Sequence, residues 1–208
     1  MGSYPVVLDL GGRPVLVVGG GAVAERKVEG LLAAGAAVTV VSPRVTPPLA
    51  RLFDEGRISV RFRAYRPADL RGWTLVLAAT DDRALNAAVA AGARKRRIWV
   101  NAADDPEHCD FILPSVLRRG SLLVSVTTGG RSPALARVVR EELERLFGSD
   151  YALLTDLAGD VRRELRARGE TPTAEAWTRA LRGDVRRLVA AGRRDEARRR
   201  LLQALATA

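Results

Sequence analysis

The chain has 208 residues, 47% of them hydrophobic, and a formal charge of +10 carried almost wholly by arginine, since Lys27 and Lys95 are the only lysines. That length suits one sizeable domain or a larger one with a small companion, and no apolar run approaches the ~20 residues of a bilayer-spanning helix. Cys109 is the single cysteine, which excludes an internal disulfide, and Met1-Gly2-Ser3-Tyr4-Pro5 lacks the basic and apolar regions of a secretory signal, so a cytoplasmic protein that does not enter membranes is expected.

Val15–Val18 predicts a first strand and Ala22–Ala34 a first helix, stopped by Gly35. Between them lies Gly19-Gly20-Gly21-Ala22-Val23-Ala24. Strand, glycine turn and helix, in that order, are what a dinucleotide pyrophosphate site requires. Gly19 makes the tight turn, Gly21 lets backbone approach the phosphates, and Ala24 is small enough for helix–strand packing. The amides after Gly21 turn the positive end of the helix dipole toward the anion. The structural alternative is a tight turn in a protein that binds no nucleotide.

Val38–Val41 is the second expected strand, and Pro47-Pro48 opens a helix to Glu55. Strands are expected at Ile58–Phe62, Leu75–Ala79 and Ile98–Val100, with an alanine-rich helix over Arg83–Arg94. Apolar strands separated by helices mean an α/β, Rossmann-like, doubly wound parallel sheet covered on both faces. It spans residues 1–113. Beyond it, Phe111–Leu117 and Ser121–Thr127 read as a strand pair joined by Arg118-Arg119-Gly120. Ser132 is a good N-cap and Pro133 a good first residue for a helix reaching Phe147. Four helices follow, over Tyr151–Arg168, Thr173–Leu181, Asp184–Ala191 and Asp195–Ala206.

Ligands of such sheets bind at the carboxyl ends of the strands. After the second strand stand Ser42-Pro43-Arg44. An acidic residue often holds the adenosine ribose there and is absent, so Ser42 is the candidate ribose partner and Arg44 the group that tolerates a 2′-phosphate. After the fourth strand, Thr80 and Asp81 are candidates to line the other ribose, whereas Asp82 either joins them or caps the next helix. After the fifth come Asn101-Ala102-Ala103-Asp104-Asp105-Pro106. Dehydrogenation needs a base for the proton, and Asp104 or Asp105 can supply one, unless both only cap the turn before Pro106. His108 and Cys109 fall short of a four-ligand zinc site, and no bound metal is expected. No nucleophile triad and no phosphate loop with its lysine are present.

Residues 1–113 carry 15 basic and 12 acidic side chains, and 114–208 carry 19 and 12. A basic surface attracts polyanions, whether nucleic acid or a polycarboxylate; arginines spread over solvated helix faces are the bland alternative.

Gly19-Gly20-Gly21-Ala22-Val23-Ala24-Glu25-Arg26-Lys27, Ala78-Ala79-Thr80-Asp81-Asp82, Asn101 through Asp104, Phe111-Ile112-Leu113-Pro114-Ser115, and Thr128-Gly129-Gly130-Arg131-Ser132-Pro133 with Ala136-Arg137 run in unbroken order over about residues 4–147. Together they resemble the dehydrogenase module of siroheme synthase. That family includes free-standing precorrin-2 dehydrogenases and two-activity dehydrogenase/ferrochelatases. The resemblance implies NAD-dependent oxidation of precorrin-2 to sirohydrochlorin in siroheme biosynthesis, with ferrochelatase activity as the alternative. It also implies a homodimer with exchanged elements, so residues 114–148 read as a small α+β dimerisation region and 149–208 as a C-terminal helical domain. By that resemblance, the family's cofactor contacts fall on the positions of Ala22, Val23, Pro43 and Arg44. Asp104 matches the aspartate proposed to act in dehydrogenation and implicated in chelation. Some members carry serine at the position of Thr128, beside the tetrapyrrole.

The substrate so implied is a polycarboxylate that a basic cleft would orient. Asn101, Thr128, Arg131, Ser132 and Arg137 are the candidate substrate contacts, with Arg140 on the same helix. Uroporphyrinogen methylation is expected to belong to another chain. A competing reading, a nucleotide-sensing module that touches nucleic acid, rests on the arginine-rich helices, but neither a helix-turn-helix nor a base-stacking surface supports it, and no nucleic-acid partner is expected.

Overall fold

Alternate residues of a strand face opposite sides of its sheet, and in the first strand this divides the sheet's packing into two cores. The computed structural model describes residues 4–206; Met1, Gly2 and Ser3, read above for signal features, lie outside the described residues. Five strands, β1 (Pro14–Val18), β2 (Ala37–Val41), β3 (Ser59–Arg61), β4 (Leu75–Ala78) and β5 (Trp99–Ala102), form one sheet in the order β3-β2-β1-β4-β5. All its pairings are parallel, with Val18 opposite Val41 on one side and Ala78 on the other. Val15 and Val17 pack against Ala24, Val28 and Leu31 of α1 (Ala22–Ala33) and Leu49 of α2 (Pro47–Asp54). Leu16 and Val18 pack on the other face with Val89, Ala90 and Ala93 of α3 (Arg83–Lys95). The expected doubly wound sheet is therefore present, helices on both faces.

The fifth expected strand shifts from Ile98–Val100 to Trp99–Ala102 and takes in Asn101, and two others differ more. The third is shorter than Ile58–Phe62: Ile58 turns into the core, while Phe62 leaves the ladder and meets Phe53 edge-on, ring centroids 5.4 Å apart. The expected strand over Phe111–Leu117 begins only at Ser115. Pro114 has no amide to give a ladder. Phe111 packs instead on the α1-side core, and its carbonyl accepts a hydrogen bond from Asn101 Nδ2 at 3.0 Å.

Beyond β3, Asp69 is a buried carboxylate, 4% exposed, in a short turn of 3-10 helix. Arg63 grips it bidentately at 2.6 and 2.8 Å, Arg61 donates at 2.9 Å, and the Arg66 amide at 2.8 Å. The Arg63 hydrogen bond, foremost among these, holds the carboxyl at about 2. A folded-state pKa below the unfolded value stabilises the protein above about pH 4, and that contribution is lost as pH falls toward 2. Asp69→Asn is expected to lower unfolding free energy at pH 7 by about 2 kcal/mol and to flatten the acid limb; urea titrations at pH 7, 4 and 3 check this, and an unchanged acid limb refutes it.

The chain divides into two compact units, one reaching to Leu113 and one beginning at Pro114. In the second, β6 (Ser115–Arg119) and β7 (Leu122–Val126) pair antiparallel through a turn at Gly120 and Ser121, Gly120 at φ +55°. Then come α4 (Pro133–Leu146), α5 (Asp150–Ala167), α6 (Ala174–Arg182), α7 (Val185–Ala190) and α8 (Arg194–Ala206). Leu157, Val161 and Leu165 of α5 meet Ala176, Ala180, Val185, Val189, Ala197, Leu201 and Leu205 in one core. Helix α4 buries only Ala136, leaving Leu135, Val138 and Leu146 exposed.

Candidate functional site: the carboxyl edge of the sheet

At the exit of β1 each of three glycines has its own reason to lack a side chain. Gly19 adopts φ +116°, and a Cβ there would stand 2.2 Å from the Ala79 carbonyl oxygen. A Cβ on Gly20 would stand 2.2 Å from the Arg44 carbonyl oxygen, and the Gly20 carbonyl accepts the Thr46 amide at 2.9 Å. Gly20 thus lets the loop after β2 lie directly against the turn, which sequence reasoning missed. Gly21 meets nothing within 4 Å. It is the N-cap of α1, without a side-chain cap, so the first-turn amides of Ala22 and Val23 are left for a ligand. An open approach over an uncapped helix start fits a pyrophosphate. Ala24 is fully buried against the sheet.

The residues after β2 divide their tasks. Ser42, expected to meet a ribose, is 8% exposed and donates its hydroxyl to the Arg44 carbonyl at 2.6 Å, so it builds the turn. Pro43 and Arg44 are exposed beside it, and the Arg44 guanidinium has no hydrogen-bond or ion-pair partner among the described residues. After β4, Thr80 is clamped by Asn86, a buried α3 residue that sequence reasoning did not single out. Thr80 Oγ1 lies 2.8 Å from Asn86 Oδ1, and Asn86 Nδ2 donates to the Thr80 carbonyl at 2.9 Å. Asp82 accepts the Leu85 amide at 3.0 Å and caps α3, which decides between its two readings. Asp81 is exposed next to it.

At the exit of β5 the backbone turns through Asp104 at φ +53°. That left-handed conformation is uncommon outside glycine but tolerated by Asp. Asp104 is exposed, and its carboxylate has no hydrogen-bond or ion-pair partner among the described residues. Asp105 is different: His108 Nδ1 lies 2.7 Å from it, and that hydrogen bond holds its carboxyl below the usual range. Cys109 Sγ accepts the Ala102 amide at 3.2 Å, and burial pushes its thiol up.

Asn101, expected to contact substrate, is 7% exposed and spent on its neighbours. Its Nδ2 serves the Phe111 carbonyl, and its Oδ1 accepts from Lys27 Nζ at 2.8 Å. Lys27, on α1, stood in the glycine-turn motif without an expected role. Its rarity in an arginine-rich chain was the available signal. Burial lowers its pKa, opposed by the charges of Cys109 and Asp104, while Arg26 adds to the lowering.

In the second unit, Thr128 Oγ1 accepts the Ser132 amide at 2.9 Å, and Ser132 Oγ caps α4 by accepting the Leu135 amide at 3.2 Å. Gly129 and Gly130, at φ +65° and +82°, carry the chain into that cap. Arg131 and Arg137 are exposed without an ion-pair partner among the described residues. Arg140 is paired with Glu141 and Glu144 of its own helix. Among the described residues no cluster of three His, Cys, Asp or Glu side chains offers a metal site, and no helix is long and apolar enough to cross a membrane.

The sheet order, the uncapped start of α1 and the partnerless groups at the strand exits define a dinucleotide-binding α/β protein. A family model described as putative NAD(P)-binding matches residues 6–115, and one described as sirohaem biosynthesis protein central matches residues 119–146. The chain belongs to the NAD(P)-binding family and carries the sirohaem central segment after it.

It is 44% identical over 206 residues to a siroheme synthase of Methylococcus capsulatus, covering 98% of this chain and 44% of that protein. A siroheme synthase of Methylobacillus flagellatus is 42% identical, covering 99% of this chain and 44% of its own length. The chain thus spans less than half the length of these curated relatives. The solved structure of SirC, precorrin-2 dehydrogenase, superposes with a TM-score of 0.70 at 27% identity, covering 99% of this chain and 100% of that one.

Proposed function

We propose that this protein oxidises precorrin-2 to sirohydrochlorin, with NAD⁺ as hydride acceptor, in the cytoplasm. The likeness to the precorrin-2 dehydrogenase SirC along the whole of both chains carries the reading. Bound nicotinamide dinucleotide supplies the hydride-accepting ring. The chain's own residues do the rest. The amides of Ala22 and Val23 bind the pyrophosphate over Gly21, and Pro43 and Arg44 border the adenosine end. Asp104 takes the proton that leaves as the hydride departs, which a carboxylate without competing partners is free to do. Thr80 and Asp81 edge the second ribose. Thr128, Ser132, Arg131 and Arg137 meet the substrate, the arginines pairing with its carboxylates.

Anaerobic incubation with precorrin-2 and NAD⁺ is expected to yield NADH and the sirohydrochlorin spectrum together; no NADH from authentic substrate sinks the proposal. Running NADP⁺ beside NAD⁺ tests the acceptor, since partnerless Arg44 is compatible with a 2′-phosphate. Ferrous ion insertion at the same carboxylate is the second reading, favoured by relatives named siroheme synthase, and adding Fe²⁺ to the product tests it. A homodimer joined through the ribbon and the exposed Leu135, Val138 and Leu146 completes the proposal, and monomeric sedimentation of the active protein refutes that part.

A further inference from the structure

Lys27 lies five residues into α1, about 7.5 Å along the axis from Ala22, which takes it past the amides suited to a pyrophosphate. Its side chain reaches the end of β5 instead, where Nζ donates to Asn101 Oδ1 at 2.8 Å. An ammonium has three donors, and Asn101 is its only hydrogen-bond partner among the described residues. Asn101 is neutral, buried and locked by its bond to the Phe111 carbonyl. The lysine is half-buried, and a cation in that position is costly without an anion. Asp104 and Cys109 are near enough to act on it through space, yet no carboxylate pairs with it among the described residues. A restrained cation with spare donors at the end of β5 is a receptor for an anionic group.

We propose that Lys27 binds a carboxylate of the tetrapyrrole and that Asn101 is its positioning residue, holding the ammonium at the end of the strand that leads to Asp104. This rests on the dehydrogenase reading and deepens it: Lys27 fixes which edge of the macrocycle faces Asp104. One charge-assisted hydrogen bond corresponds to about a ten- to hundredfold change in affinity.

The test uses the full chain and two readouts. The first is the binding of sirohydrochlorin, itself a polycarboxylate, followed by absorbance without coenzyme. The second is steady-state turnover of precorrin-2 with NAD⁺. Lys27→Met is expected to weaken sirohydrochlorin binding and raise KM for precorrin-2 by about ten- to hundredfold. Its kcat stays within about threefold and its NAD⁺ affinity is unchanged. Lys27→Arg keeps the charge and restores most of the affinity, and Asn101→Leu gives an intermediate KM. Across pH, wild-type KM rises as the ammonium deprotonates, below the usual lysine range, with Arg26, Asp104 and Cys109 as the charged or titratable neighbours; Lys27→Arg loses that rise. Unchanged sirohydrochlorin affinity in Lys27→Met overturns the inference, as does a loss confined to kcat or to NAD⁺ binding. Wild-type protein that binds sirohydrochlorin but turns over no precorrin-2 would instead overturn the dehydrogenase reading alone.

Discussion

Asp104→Asn is expected to bind NAD⁺ as the wild type does while losing about 10²–10⁴-fold in turnover of precorrin-2, the usual contribution of a positioned general base. The amide is nearly isosteric and accepts the left-handed backbone observed at φ +53°, so folding is preserved and only the proposed proton acceptor is removed. Asp104→Ala loses the same catalytic factor and in addition costs about 1 kcal/mol of stability, because alanine is strained at that φ. Comparing the two separates chemistry from backbone geometry. Asp105 is the control. His108 already engages it, so Asp105→Asn is expected to disturb the loop more than the chemical step. Single-turnover kinetics with precorrin-2, read beside NAD⁺ titration and thermal melts, check all three. Full activity in Asp104→Asn would remove the base from the mechanism.

The glycine turn yields the second large effect. Gly19→Ala puts a Cβ 2.2 Å from a backbone carbonyl oxygen and 2.6 Å from its carbon, at φ +116°. The strand ends have to part, and the expected cost is roughly 3–5 kcal/mol of unfolding free energy, with coenzyme binding lost alongside. Gly21→Ala makes the opposite expectation. Its backbone, φ −84° and ψ −174°, is open to any residue, and nothing lies within 4 Å. The protein therefore folds with a melting temperature near that of the wild type. The added methyl occupies the path of the phosphates and weakens NAD⁺ binding by at least about tenfold, a loss of about 1.4 kcal/mol. Calorimetric NAD⁺ titrations beside denaturation curves separate the two glycines. Wild-type affinity in Gly21→Ala would mean the pyrophosphate rests elsewhere.

The strands were legible because β-branched apolar runs between helical patterns have few other solutions, and the turn was legible because three consecutive glycines stood between a strand and a helix. The N-caps at Asp82 and Ser132 were local enough to see. Arg140 shows a local signal passed over: Glu144 stands four residues on, in the spacing of a helix ion pair. Phe111 misled because an apolar run before a proline reads as a strand, while its carbonyl was claimed by Asn101, ten residues earlier.

What the amino-acid order determined by itself was the α/β alternation, the glycine turn between β1 and α1 and the acidic exit of the fifth strand, all of which depend on neighbours within a few residues. Only the tertiary structure decided that Asn101 serves Lys27 across 74 positions of sequence, that Asn86 clamps Thr80, and that Gly20 bears the loop containing Arg44. The first and last of these depend on which segments the folded sheet brings together at its carboxyl edge, and the Thr80–Asn86 pair on how the start of α3 lies over the exit of β4 six residues earlier, because a buried polar atom takes the partner that burial brings within reach.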